Sequence, residues 1–441
     1  MGEGRAYHWR ARGLTNTFYY CGIQIVAFST GAQSSMTRKR IKVAVVGAGF
    51  SNSPDGRERW AVRTHVPALK ALPEIYDLTA VCTTRMETAT TAARHFDVPH
   101  AFDSVERMLR EMPDLDAVCV SVRPTLHHEV VTAALRAGKH VYCEQPLGLN
   151  TNEAQAMYDL ARQNNLRTVL GHQSHYEPAT LQMAELVRDG FIGEPLAFNH
   201  AYFVANQIVP RPSHRQWVFD AKSGGHPGFR SGHSLDRINQ VIGRDVTDIC
   251  ADMAVQVPER ANVDGGDPIR STQVDNTNYL LRVGDRIMGT MQTCFTAWFG
   301  SGNRFEIYGT EGMLMLTTDA SPAWEKTTGL GDPSRGELKL YGARANLKDI
   351  LENPVPPERL QRQFKELPID PKHYYVEGIE RGRATYLVAQ MWHAFAEAIH
   401  NGTECAPSFR DKLKIHCIWD AAEQSVREKR WVKVDYSRIG A

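Results

Sequence analysis

The chain has 441 residues, long enough for two domains that each bury a core. Its 42% hydrophobic and 23% charged content is that of a globular protein, and 51 basic against 50 acidic side chains leave a net charge of +1. That balance gives no electrostatic reason to expect nucleic acid or a membrane as partner, and no apolar run reaches the roughly 18 residues of a membrane span.

Residues 1–39 read as an extension that is expected to be disordered. Up to Ser35 it holds one acid, Glu3, against Arg5, Arg10 and Arg12, followed by the short apolar "CGIQIVAF". Two readings stand: a weak targeting segment, or an upstream start before a normal beginning at Met36. Residues 40–172 then alternate short apolar runs with helical patterns. Strands are expected at 41–46, 77–83, 115–122, 140–144 and 167–172, and helices at 66–72, 86–96, 102–112, 126–138 and 151–165. Such alternation specifies a doubly wound parallel sheet, a Rossmann domain. From about residue 175 the pattern turns to successive strands at 196–205, 246–257, 276–284, 286–298, 304–310 and 312–318, an open and mainly antiparallel sheet. Residues 319–375 are rich in Pro, Gly and charge and read as long loops, before two long helices at 386–402 and 409–429. The fold class is therefore α/β, with a second α/β domain over 173–441 for substrate and oligomerisation, its last helix a candidate to pack back on the first domain. Eight scattered cysteines without a C-x-x-C pair suit reduced thiols in a cytoplasmic protein, and no metal-ligand spacing is present.

The first strand runs into "VVGAGF". Gly47, Gly49 and Phe50 form the turn where a pyrophosphate approaches the backbone, although the third glycine of the usual fingerprint is replaced by the polar loop "SNSPDGRERWAVRTH". The second strand ends in Thr83, Thr84 and Arg85, with no carboxylate for a ribose. Arg85 is either a partner for a 2′-phosphate or a solvated cation, so NAD and NADP both stay open.

The stretches "VAVVGAGF", "THVPALKAL", "HHEVVTAALRAGKHVYCEQPLG", "LVRDGFIGEPLAF", "GHSLD", "FEIYGTEGMLML" and "SFRDKLKIHCIWDAAEQSVREKRWVKV" together resemble the glucose–fructose oxidoreductase, inositol dehydrogenase and rhizopine-catabolism family (Gfo/Idh/MocA) from about residue 40 to 436. "RERWAVRTHVPAL", "CEQPLG" and "GHSLD" are similar to the branch that holds the fungal galactose-pathway repressor. The resemblance implies a Rossmann domain, an open sheet that joins a homodimer or homotetramer, and a cleft for nicotinamide and a carbohydrate-like substrate.

In that family residues 144–146 are Glu-Lys-Pro, at a loop beside nicotinamide and substrate. Here Glu144 is kept and the lysine is Gln145, which donates hydrogen bonds but does not titrate near neutrality. The family also places an Asp before a His in the second domain; the Asp position falls on Phe229 and the His is His233. His233 is thus the acid–base candidate, and Gln145 the residue that positions a hydroxyl. Arg123 and His127 join Glu144 and Gln145 on the cofactor side. Gln173, His175, Arg215, Trp217, His226 and Arg230 join His233 as substrate candidates, Trp217 as a surface for a sugar ring. Three functions follow from the resemblance: an NAD(P)-dependent oxidoreductase for a sugar, polyol or related hydroxy compound; a redox-neutral NAD-dependent glycosidase acting by oxidation, elimination and reduction; and a non-catalytic NAD(P)-binding sensor.

Overall fold

Every second residue of the opening strand Ile41–Val46 faces one side of a sheet that is covered on both faces, which is why the run "IKVAVV" is apolar almost throughout. The computed structural model describes residues 38–50, 59–208, 213–224, 226–318, 337–345, 347–352 and 364–440; the extension, most of the polar loop after Phe50 and the side chain of Arg215 lie outside them. Strands β1 (Ile41–Val46), β2 (Tyr76–Cys82), β3 (His100–Phe102), β4 (Ala117–Val120), β5 (His140–Cys143) and β6 (Thr168–Leu170) form one parallel sheet in the order 3-2-1-4-5-6. This is the Rossmann order, whose switch point lies between β1 and β4.

β3 is absent from the sequence reading, which began a helix at Phe102. The helix instead starts at Val105, because Ser104 Oγ accepts the Arg107 N–H at 3.2 Å and frees "HAF" to pair with β2. The crossovers are helices α1 (Val66–Lys70), α2 (Met86–Phe96), α3 (Val105–Glu111), α4 (His127–Arg136) and α5 (Thr151–Gln163). A π-helical turn, Ala61–His65, precedes α1 and delivers His65 into the interior.

The second sheet is larger. Strands β7 (Pro195–Phe203), β8 (Val246–Ala254), β11 (Asn276–Val283), β12 (Ile287–Cys294), β13 (Gly302–Gly309), β14 (Gly312–Thr318), β15 (Leu338–Arg344), β16 (Lys365–Leu367) and β17 (Val432–Lys433) lie in the order 16-15-14-13-7-12-11-8-17. β9 (Glu259–Arg260) and β10 (Ile269–Arg270) pair separately. All neighbours in the large sheet are antiparallel except β7 and β12. β15 and β16 correct the reading of 319–375 as loops. In "LKLYGAR" Leu340 is fully buried while its neighbours Lys339 and Tyr341 are only partly covered, a strand alternation that the surrounding Pro and Gly obscured.

Helices α6 (Pro178–Arg188) and α7 (Gly232–Ile242) pack on each other beneath this sheet. α8 (Ala384–Asn401) lays Trp392 and Phe395 against Val43, Val45, Cys119 and Tyr142, covering one face of the parallel sheet. α9 (Phe409–Glu428) fits between α5 and β8. Its start is fixed by a capping box, Ser408 with Asp411, and by the Phe409 N–H on Thr168 Oγ1 at 3.3 Å. Residues from the carboxyl-terminal third thus complete both faces of the first domain.

Two histidines sit wholly inside this packing, His200 on β7 and His416 on α9, with no protein partner for any ring nitrogen. Burial pushes each imidazole down to about 3, with Arg237 adding to the effect at His200 and His226 at His416, where Asp420 opposes it. The unfolded chain binds a proton at each ring below about 6.5, whereas the folded chain does not until about 3. Stability is therefore expected to be full above pH 6.5 and to fall as pH drops towards 3, by the order of a few kcal/mol per ring. Replacing His200 and His416 by leucine should move the acid unfolding midpoint, followed by circular dichroism, to lower pH; an unmoved midpoint would refute this account.

Candidate active site

Five strand ends of the parallel sheet, those of β1, β2, β4, β5 and β6, meet at its carboxyl edge. After β1, Gly47 adopts a φ of +102°, and a Cβ there would stand 2.1 Å from the Ser121 carbonyl oxygen after β4. Only glycine fits that approach. At Gly49 the Arg59 guanidinium lies 2.8 Å from where a Cβ would be. This small-residue cradle at the switch point, with an arginine across it, fits a dinucleotide pyrophosphate. Thr84, Arg85 and Arg123 are exposed at the ends of β2 and β4, on the same edge.

Other cofactor candidates take structural places. The Phe50 ring is buried and stacks on His95 with centroids 4.0 Å apart. Thr83 Oγ1 is buried against Thr88 Oγ1 and Arg85 O, both at 2.8 Å, and so holds the turn after β2. His127 is fully buried, with Nδ1 2.6 Å from Pro146 O and Nε2 3.2 Å from Val122 O. It staples the β4 loop to the β5 loop, and its side chain does not line the cleft.

Glu144 follows β5. Its Oε1 is 2.8 Å from His65 Nε2, and both its oxygens accept from Gln173 Nε2, at 3.1 and 3.3 Å. Trp392 Nε1, a donor only, is 3.2 Å from His65 Nδ1, so Nδ1 is an acceptor and the imidazole proton stands on Nε2, facing Glu144. Indole, imidazole, carboxylate and amide form one chain that fixes Glu144. Gln145 turns the other way. Its Nε2 donates to the Phe229 carbonyl at 2.8 Å, while its Oε1 is buried without a partner. The two departures from the family pattern are therefore in contact: amide and phenylalanine backbone meet where the pattern has two charged groups.

The second domain brings α7 to this edge. His233, in its first turn, is partly exposed, with Nδ1 3.4 Å from Ser174 Oγ and its ring 4.4 Å from that of His172. Burial pushes the His233 imidazole down to about 4; Lys412 and Arg237 add to this, and Asp236 and Glu144 oppose it. Behind it lies a group of which the sequence reading named His175 alone. Asp236, one turn on from His233, accepts from His175 Nδ1 at 2.9 Å and from Lys412 Nζ. Lys412 Nζ also donates to Nδ1 of His172, whose ring is fully buried. Burial opposes ionisation of Asp236, but Lys412 and His175 hold its carboxyl well below the usual range. Burial, Lys412 and His233 hold the His172 imidazole far below its usual value. No spacing rule could find this set, since His172 and Lys412 are 240 positions apart. The one signal was that His172, like Glu144, follows a strand of the parallel sheet.

The remaining substrate candidates separate. His175 belongs to the cluster, and Gln173 holds Glu144. Trp217 is half-buried in the turn Ser213–Phe219, and Arg230 ties that turn down through the Val218 carbonyl while lying 4.9 Å from the Phe229 ring. His226 packs on α9: its ring stacks on Trp419 and faces Asp420 and Glu423, 3.4 and 3.6 Å away.

Known proteins share this fold. A levoglucosan dehydrogenase of Pseudarthrobacter phenanthrenivorans is 26% identical over 420 residues, spanning 90% of this chain and 98% of that protein. The galactose/lactose metabolism regulatory protein GAL80 of Saccharomyces cerevisiae is 23% identical, spanning 69% and 71%. A solved levoglucosan dehydrogenase, in complex with NADH and levoglucosan, shares the fold with a TM-score of 0.72 at 23% identity, over 90% of this chain and all of that one. Residues 41–172 match the oxidoreductase family with an NAD-binding Rossmann fold and residues 180–315 the GFO/IDH/MocA carboxyl-terminal domain, so this chain is a member of the Gfo/Idh/MocA family of NAD-binding oxidoreductases.

Proposed function

We propose that the protein is an NAD-dependent dehydrogenase for a sugar, polyol or related hydroxy compound, with His233 as the group that takes the hydroxyl proton. The observation that carries this is a partly exposed imidazole, neutral at physiological pH, at the carboxyl edge of an NAD-binding sheet. A bound nicotinamide would supply the hydride acceptor. Gly47 and Gly49 would cradle its pyrophosphate, and Thr84, Arg85 and Arg123 would lie along its ribose side. Gln145 would use its free Oε1 to receive a substrate hydroxyl, and Glu144, held by His65 and Gln173, would keep the loop in place. Substrate oxygens would meet neutral imidazoles and amides here in place of a lysine.

One observation favours a second reading, a ligand sensor. Gln145 spends its donor on a backbone carbonyl, and Phe229 carries no acid, so the lysine and the aspartate of the family pattern are gone and only its histidine, His233, is kept. Substrate consumed against reduced cofactor formed separates the readings. Absorbance at 340 nm rising one-for-one with oxidation of levoglucosan, myo-inositol or a related polyol supports the dehydrogenase. Consumption with no reduced cofactor supports the redox-neutral glycosidase, and binding without consumption supports the sensor.

His233→Ala is expected to lower kcat by about 10²–10⁴-fold with intact NAD binding. In the wild type the acid limb of kcat/KM should lie near pH 4, below which a protonated His233 accepts nothing; the charged groups facing it are Asp236, Lys412, Glu144 and Arg237. Near-normal turnover by the variant would remove His233 from this role. If Arg85 meets a 2′-phosphate, Arg85→Ala will weaken NADP far more than NAD, and equal effects would exclude it.

The outer face of the large sheet suits the proposed homodimer or homotetramer. Register places Arg282, Met288, Ala197 and Tyr308 in one row across β11, β12, β7 and β13, with Leu280 in the next, and Leu280, Met288 and Tyr308 are all exposed. Leu280→Asp with Met288→Arg should yield monomers by light scattering; an unchanged mass would place the interface elsewhere.

A further inference from the structure

A buried N–H without a partner is costly, by about 1–3 kcal/mol, unless a ligand completes it. His172 presents one. Its Nδ1 receives Lys412 Nζ, and an ammonium has only donors, so the imidazole proton stands on Nε2. Nε2 is buried and has no hydrogen-bond partner. The ring lies against His233, 4.4 Å between centroids, just after β6 and one residue before Gln173, which holds Glu144.

We infer that His172 is a second catalytic residue, a neutral imidazole whose Nε2–H donates to the reacting oxygen of the substrate, and that Lys412 is the positioning residue that fixes this tautomer. The inference rests on the dehydrogenase reading for its chemistry, and on geometry alone for the tautomer. Roles divide between the two rings. His233 accepts the hydroxyl proton, and His172 keeps its own proton and holds the oxygen as it becomes a carbonyl. A donor aimed at that oxygen stabilises the negative charge it carries in the transition state. A lysine at position 145 would supply that charge directly. Gln145 instead donates to Phe229 O, and the ammonium of Lys412 enters from α9 behind His172. The imidazole passes the polarising effect of the ammonium to the cleft without exposing a cation there. Asp236 balances Lys412 on the far side, so the ammonium stays charged in spite of burial, which pulls its pKa down. The groups facing His172 are therefore Lys412, Asp236 and His233; burial, Lys412 and His233 keep it neutral, and Asp236 opposes them.

The test has two arms on the full chain. In the first, protein labelled with ¹⁵N-histidine is examined by long-range proton–nitrogen NMR, with His172→Gln used to assign the signal. The expected result is an Nε2–H tautomer that stays neutral from pH 6.5, the ordinary imidazole value, to 9 and is lost or mixed in Lys412→Met but kept in Lys412→Arg. A wild-type Nδ1–H tautomer, or an imidazolium in that range, overturns the inference even if the lysine variants do not fold. In the second, oxidation of levoglucosan and myo-inositol by NAD is compared across variants. His172→Leu is expected to lower kcat about 10²–10³-fold with little change in KM, and His172→Gln, which retains a donor, to recover part of it. Equal rates for wild type and His172→Leu overturn the catalytic role. If the wild type oxidises neither compound while the Nε2–H tautomer is found, the dehydrogenase reading fails and the Lys412 assignment stands.

Discussion

The buried pair of Lys412 and Asp236 is the contact on which the cleft depends. It joins α9, from the end of the chain, to α7, at the centre of the second domain, directly beneath the carboxyl edge of the parallel sheet. Two charges out of water cost several kcal/mol each and are tolerated when every proton and lone pair is used. Here they nearly are: Lys412 serves Asp236 and His172, and Asp236 serves Lys412 and His175. Removing either partner would strand a charge among buried histidines. The pair thus anchors the first turns of α7, from which His233 projects.

The departures at 145 and 229 form one linked change. A lysine or an acid at either position alone would face an uncharged partner in a half-buried site. Gln145 and Phe229 avoid this, since the amide is satisfied by a backbone carbonyl, which every residue type offers. The chemistry that remains relies on imidazoles kept neutral by burial, and such groups retain their function over a wide pH range because nothing in them titrates near neutrality.

Much of this was legible in the sequence. The Rossmann strands announced themselves because a strand buried on both faces has no room for polar residues, and Gly47, Glu144, Gln145 and His233 stood in recognisable surroundings. What stayed hidden has physical causes. β3 is three residues long and carries no period. β15 lies among loop-forming residues. Phe50, Thr83 and His127 have side-chain types that suit a cofactor, and only packing turns them into a core ring, a turn clasp and a loop staple. Lys412 looked like one more cation on an amphipathic helix, and a buried lysine is recognised only when its carboxylate, far away in sequence, is seen beside it.

The parallel sheet is closed by segments made last. Trp392 and Phe395 of α8 cover one of its faces, and the β6 edge is satisfied by the carbonyl of Pro407, which receives the Leu170 N–H at 2.9 Å. During synthesis the dinucleotide-binding half therefore waits, with a whole face of valine, tyrosine and cysteine uncovered, until more than two hundred further residues have left the ribosome. A ribosome that stalls within the second sheet releases a chain that has every Rossmann strand and lacks the helix that keeps them from sticking to other chains.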